Sequence, residues 1–431
     1  MNKLPVELAL MVGESLRKQE DVLSLMKTSH RFHSLLEPTL FSHPISIRTF
    51  AARHLPLVKS LWLCPHLARR VQSLWIHVGQ PQASSVRYAP LLYRGRLNEF
   101  IEKVTTTLTT ADEYRSRATW TKKLRSLCPE AWLAAMVVPL TNLKYLTFGG
   151  GAENPYFLQL MQKAALRRRP FHEDPPFRRL EKVVAVRYDC DDEIESHALA
   201  PFFYFPAVRS IAGRQIHESP SVEFDTSLVR HASRPVTRIE ALEVNECRGL
   251  SHWLHACDKL EYVHVEVSGA SDEYVPFNGT EFYNTLLPSK RTLKYLHLEY
   301  DTLFQVELNI DHDLALEDNL PFGTMKEFTA LEVLCVRHAH LQGFVEEIDD
   351  DDEEALINKL PSSLRSLMIY DVVDHYYPEL LAGLLSVVEN TESFPNLETL
   401  ILCRRDKDTF MARAVKRACE KRGMQFEVRF L

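Results

Sequence analysis

A six-residue phrase recurs along this chain: leucine, two variable residues, an apolar residue, one variable residue, then a second apolar residue. It reads LKYLTF from Leu143, IEALEV from Ile239, LEYVHV from Leu260, LKYLHL from Leu293, LEVLCV from Leu331, LRSLMI from Leu364 and LETLIL from Leu397. Weaker copies start at Val71, Leu180 and Val208. From Leu260 to Leu397 the copies follow one another at 33, 38, 33 and 33 residues. A near-constant step marks one structural unit used repeatedly. Within each copy the alternation predicts a strand buried on one face, and the stretches between copies carry helical patterns. Tyr377–Glu389 is one such helix, and 407–422, before a strand-like MQFEVRF, is another. Strand plus helix per unit, stacked in parallel, predicts an α/β fold built as a solenoid-like array.

The opening residues follow a different pattern. Leu4, Leu8, Val12 and Leu16 draw a stripe of four-residue spacing along a helix. Pro5 suits its first position and Glu7 its amino-terminal dipole. A second helix opens at Glu20 and Asp21 and turns Val22, Leu23, Leu25 and Met26 inward. Ser29 can cap a third helix carrying Phe32, Leu35 and Leu36, which Pro38 helps to end. About forty residues is the size below which a core usually needs a disulfide, a metal or a partner. With no staple in this stretch, a partner is the natural inference.

Leu4-Pro5, Glu7-Leu8, Val12, Leu16, Asp21-Val22-Leu23, Leu25, Ser29-His30-Arg31-Phe32 and Leu36 together resemble the F-box, the adaptor-binding module of cullin-type ubiquitin ligases. Gly13 and Met26 depart mildly from its usual pattern. The resemblance covers residues 1–42. It implies a three-helix module docking onto a Skp-family adaptor, and through it a cullin. Leu4, Pro5, Leu8, Val12, Leu16, Leu25 and Phe32 would be the adaptor-binding residues. Residues 43–431 resemble degenerate leucine-rich repeats, although the units are longer than the usual twenty to twenty-nine or so residues and lack a consistent asparagine. The whole is similar to the substrate-receptor layout of fungal F-box proteins.

The rest of the sequence narrows the function classes. Of 431 residues, 45% are apolar and 25% charged, average for a folded soluble protein. The balance of 51 basic against 58 acidic residues gives −7, with no general attraction to nucleic acid or anionic membrane. No helix-length apolar run is present, and the opening turns polar too soon for a signal peptide. Eight cysteines without a CxxC pair read as reduced thiols, so a cytosolic or nuclear location is expected. There the glycosylation-type triplet Asn278-Gly279-Thr280 would go unused.

Two stretches interrupt the array. Residues 91–133 lack the phrase and predict a helical insertion, with segments at Asn98–Leu108 and Trp120–Leu127, bulging from one repeat. Residues 346–354, EEIDDDDEE, form an acidic loop, read either as a solvated run or as a steering patch for a basic client. The proline-rich LRRRPFHEDPPFRR, 166–179, is too short and too mixed in charge for nucleic-acid binding.

Candidate chemistry is sparse. CRGLSHWLHAC offers Cys247, His252, His255 and Cys257, the right ligand types for zinc but in no standard spacing, and Trp253 and Leu254 favour an inward-packed helix. Gly149, Gly150 and Gly151 lack the lysine and hydroxyl residue of a phosphate loop and read as a strand-end turn. Neither G-x-S-x-G nor H-E-x-x-H occurs. Asp311, His312 and Asp313 are adjacent, so on an extended chain they diverge. Catalysis and a cofactor are therefore not expected.

A binding face is the better candidate. The third, fifth and seventh positions of each phrase point away from the core. They give Tyr262, His264 and Glu266, then Tyr295, His297 and Glu299, the same three residues in the same order. In-register pairing would stack like on like at about 4.8 Å. Glu243 and Asn245 would flank on one side, Cys335 and Arg337 on the other, with Arg337 placed to offset Glu266 and Glu299. Three readings follow: a polar ladder that keeps the face soluble, a client-binding patch including Arg337, or a histidine metal site. The expected function is a non-enzymatic substrate receptor that holds a protein client beside the ubiquitin-conjugating machinery. The alternatives are an interaction scaffold whose opening helices cap the array, and a metal-dependent enzyme.

Overall fold

The computed structural model describes residues 4–16, 18–47, 50–77, 94–110, 112–149, 155–173, 176–186, 194–195, 198–217, 235–244, 250, 253–254, 256–267, 277–300, 321–342, 355–373, 375–404 and 412–430. It divides into two compact units: Met1–Ile194 with Ala198–Val208, and Glu195–His197 with Arg209–Leu431.

The first unit opens with three helices, α1 (Val6–Ser15), α2 (Gln19–Met26) and α3 (His30–Leu40). Pro38 lies inside α3, which runs two residues past it. Then follow β1 (Ile45–Ile47), α4 (Leu55–Leu63), α5 (Pro65–Ala68), β2 (Ser73–His77), α6 (Arg94–Leu108), α7 (Tyr114–Arg125), α8 (Pro129–Val137), β3 (Tyr145–Gly149), α9 (Pro155–Ala165) and β4 (Lys182–Val186). The strands β1 to β4 pair in parallel in chain order. The helical insertion is present, but its described part does not bulge. Phe100, Ile101, Val104, Trp120 and Leu124 are buried, as is every residue from Ala131 to Val137. Trp132 stacks between Phe50 and Phe100, centroids 6.4 and 6.1 Å away, and Trp62 Nε1 donates to the Ala135 carbonyl at 3.0 Å. The physical reason is α8: a helix apolar all round belongs inside a unit, not on its surface.

The second unit carries β5 (Ser210–Arg214), β6 (Arg238–Val244), β7 (Tyr262–Val267), α10 (Gly279–Leu286), β8 (Tyr295–Tyr300), β9 (Val333–Arg337), α11 (His338–Gln342), α12 (Leu356–Lys359), β10 (Ser366–Tyr370), α13 (Tyr377–Glu389), β11 (Thr399–Arg404), α14 (Arg413–Arg422) and β12 (Gln425–Phe430). Strand order again equals chain order, all parallel, so each step needs a long crossover. All ten sequence phrases supply a strand, and each leading residue is buried beneath it. Burying one leucine contributes about 2 kcal/mol. The second helix expected at 407–422 is described from Arg413 onward.

A recurring backbone bond sets the register. The carbonyl after each leading leucine accepts the N–H groups of two successive residues at the mouth of the next strand. Glu261 O accepts from Lys294 and Tyr295, Lys294 O from Glu332 and Val333, Glu332 O from Arg365 and Ser366, and Arg365 O from Glu398 and Thr399, all at 2.8–3.0 Å. These carbonyls belong to residues of alternating charge, so neighbouring strands bring Glu261 to Lys294 at 2.8 Å and Arg365 to Glu332 at 3.7 Å. Each exposed pair is worth little, but like charges there would oppose the stacking.

One phrase is corrected. Ile239 lies opposite Val263, not opposite Leu260, so this copy begins at Val236. Arg238 and Glu240 therefore stand beside Tyr262 and His264. A bulge between Ala241 and Val244, with Glu243 at φ 50°, then breaks the alternation.

Candidate functional site

Two surfaces built from predicted residues are on view, one in each unit. In the first, α1 to α3 enclose a small core of Ala9, Val22, Met26, Phe32 and Leu36. Ser29 caps α3, its Oγ accepting from Phe32 N at 3.1 Å, and Arg31 Nη2 donates to the Leu4 carbonyl at 2.7 Å. The face of α1 turned inward is that of Ala9 and Gly13, not the four-spaced leucine stripe. Gly13 lies so close to Leu36 Cδ2 that an added Cβ would collide with it, which accounts for a glycine inside a helix.

That rotation sorts the predicted adaptor-binding residues. Pro5, Leu8 and Val12 are exposed; Leu4, Leu16 and Leu25 are half-buried against the core. Phe32 is inside it, only 5% exposed, so it supports the surface from beneath and is not itself presented to a partner. Leu23, expected to face inward, is 37% exposed. Met11, 62% exposed and one helical turn from Leu8, joins the same face and was missed. Its signal was available: it is apolar, i+3 from Leu8.

In the second unit β7 and β8 pair as Tyr262 with Tyr295, His264 with His297 and Glu266 with Glu299. The tyrosine rings lie 4.2 Å apart and 7° from parallel, the imidazoles 4.2 Å apart at 29°. The Arg238 guanidinium covers the far face of the column, 3.5 Å from the Tyr262 centroid, and its Nε donates to Glu240 at 2.7 Å. Tyr295 Oη and His297 Nδ1 are bonded at 3.1 Å, and His297 Nε2 reaches Glu299 at 3.0 Å. Tyr370 of β10 stacks on His297 at 5.4 Å. Burial first, then the neighbouring His297, pushes His264 down to about 4, so that imidazole is neutral near pH 7. Burial likewise raises the Tyr295 phenol. Rings stacked this way spend their faces on one another and offer solvent their edges, so the surface can recognise a ligand through hydrogen bonds more than through aromatic stacking.

Arg337 does not take the predicted role. Its Nε and Nη2 donate to Asp371 at 3.0 and 2.7 Å, its guanidinium lies 4.2 Å from the Tyr300 centroid, and the residue is 5% exposed. A cation near the glutamate row is Arg214, paired with Glu243: the hydrogen bond to Glu243 first, then the charges of Glu243 and Glu266, raise its pKa. Beyond β8 the same face turns apolar, with Cys335, Tyr370, Ile401 and Cys403 clustered and Val333 and Met368 packed on them. Burial pushes the Cys403 thiol up to about 11, so it is inert as a nucleophile. Arg238, Glu240, Tyr370 and Asp371 all escaped the sequence reading.

Other predicted features are quickly placed. Asn245, Gly150, Gly151, Cys247, His252, His255, 311–313 and the acidic loop 346–354 lie outside the described residues. Cys257 is buried, its Sγ donating to the Trp253 carbonyl at 3.4 Å. Asn278 caps α10, its Oδ1 accepting from Glu281 N at 2.8 Å. Among the described residues no group of three or more His, Cys, Asp or Glu could hold a metal ion, and no helix is long and apolar enough to cross a membrane. Compared with models of known protein families the chain matches none, and no curated protein matches it.

Proposed function

We propose that this chain is a non-enzymatic substrate receptor of a cullin-type ubiquitin ligase. In this reading α1 to α3 are an F-box that docks on a Skp-family adaptor, and the following leucine-rich-repeat-like strands hold a protein client. The observation that carries it is the exposed apolar side of α1 formed by Leu8, Met11 and Val12 on a module that already has its own core. Contiguous exposed apolar side chains of this size mark an interaction surface. A scaffold whose opening helices cap the array calls for a polar outer face, whereas Leu8, Met11 and Val12 are exposed and apolar. The adaptor contact is therefore assigned to Pro5, Leu8, Met11 and Val12, with Leu4, Leu16 and Leu25 at its margin.

The client falls to the polar edges of Tyr262, His264, Glu266, Tyr295, His297 and Glu299, with Arg238 and Glu240 beside Tyr262 and His264 and without Arg337, which is engaged by Asp371. Affinity purification followed by mass spectrometry, of the full chain against one lacking residues 1–42, tests the proposal. The adaptor and cullin should disappear with the opening helices while the client stays; retention of the adaptor would overturn it.

A further inference from the structure

We propose that α7 in the first unit is a docking face for an acidic helical segment of a partner protein. This lies on a different element from the adaptor surface and does not rest on that reading. Tyr114, Arg117, Ala118, Thr121, Lys122 and Arg125 fall at i, i+3, i+4, i+7, i+8 and i+11, one face of the helix, and with Ser126 they line an open trough of about 600 Å³. The helix is anchored along its flank: Trp120 and Leu124 are buried, and Trp120 meets Tyr156 edge-on at 4.8 Å.

The charge on this helix is one-sided. Between Tyr114 and Arg125 stand Arg115, Arg117, Lys122, Lys123 and Arg125 and no acidic residue, in a chain whose net charge is −7. Arg117 is bonded to Glu102 of α6, and Lys123 lies 6.0 Å from the Tyr156 ring. Arg115, Lys122 and Arg125 have no ion-pair partner among the described residues. The helix dipole accounts for the cations at the carboxyl end, but not for Arg115 and Arg117 in the first turn, where it disfavours them.

The layout selects the occupant. A phosphate site needs donors converging on one anion, whereas these cations are spread along more than two turns, about 12 Å between Arg117 and Arg125. Such spacing matches carboxylates repeated along a helix. The small residues Ala118 and Thr121 form the floor, where a partner ridge can settle at an interaxial distance of about 8–10 Å. Single-stranded nucleic acid would call for a series of exposed aromatics to stack bases, and on this face Tyr114 stands alone.

The test uses the purified full chain and a fluorescein-labelled helical peptide with glutamates at i, i+4 and i+8, read by anisotropy at low salt. Lys122→Glu with Arg125→Glu should weaken binding at least about tenfold, while Arg291→Glu, on the other unit, should leave it unchanged. Raising the salt should weaken the wild-type complex as well. Both substituted side chains are exposed, so matching melting curves will show that the variant folds. Equal binding by variant and wild type, no binding at all, or tighter binding of a single-stranded oligonucleotide of equal charge would overturn the proposal.

Discussion

The opening helices and the Tyr–His–Glu ladder are both candidate binding surfaces, and the structure treats them oppositely. On α1 the large apolar residues Leu8, Met11 and Val12 are exposed, outside the core that the described residues of the three helices form. On β7 and β8 the showy residues are already occupied: Arg238 covers Tyr262, Tyr262 stacks on Tyr295, and His297 joins Tyr295, Glu299 and Tyr370. What distinguishes them is whether side chains are satisfied locally. Unused apolar area points outward to a partner, while a closed set of stacks and hydrogen bonds points first to stability.

The comparison can be broken by mutation. Phe32→Ala should cost about 3–5 kcal/mol in chemical denaturation of the first unit, as for a buried aromatic. Leu8→Ser with Val12→Ser should cost within about 0.5 kcal/mol each. If the serine pair is as damaging as the alanine, the outward face is core and the contrast fails. In the ladder, Tyr262→Ala removes a cation–π contact and an aromatic pair and should cost about 1–2 kcal/mol. A double-mutant cycle with Tyr295→Ala should recover a coupling of about 0.5–1.5 kcal/mol, and a coupling of zero would reduce the stack to mere adjacency.

Acid sharpens the comparison next. Burial pushes both His264 and His338 down to about 4, from an ordinary value of 6.5. Between those values the unfolded chain binds more protons than the folded one, so stability rises with pH there. The second unit should be at full stability above pH 6.5, lose it as pH falls to 4 and change little from these groups below that. Thermal midpoints across the window should show the loss, and His264→Gln should reduce it; a rise in stability on acidification would contradict the assignment. The smallest effect belongs to Arg365→Gln, which breaks the exposed contacts to Glu332 and Glu398 and should shift stability by less than about 0.5 kcal/mol.

Much of the array was legible because the same leucine serves two purposes at once: it opens each strand and it fills the core. The like-on-like pairing of β7 and β8 followed from the 33-residue step alone. The copy at Ile239 misled because both Val236 and Ile239 can begin an acceptable phrase, and only the pairing of Ile239 with Val263 decides between them. The partner of Arg337 was hidden for a different reason. Asp371 follows the end of β10 at φ 53°, a conformation that aspartate tolerates better than most residues but that no local pattern announces. The phase of α1 was invisible because the residues that pack closest, Ala9 and Gly13, carry almost no hydrophobic signal.

The central claim is that the exposed face of α1 binds an adaptor. Isothermal titration of the purified full chain with a purified Skp-family adaptor tests it, beside a Leu8→Ser, Met11→Ser, Val12→Ser variant and a Tyr262→Ala control. Saturable binding by the wild type, loss of at least about a hundredfold in the triple variant and no change in the control are predicted. A wild-type chain that does not bind, or a triple variant that binds equally well, would contradict the account.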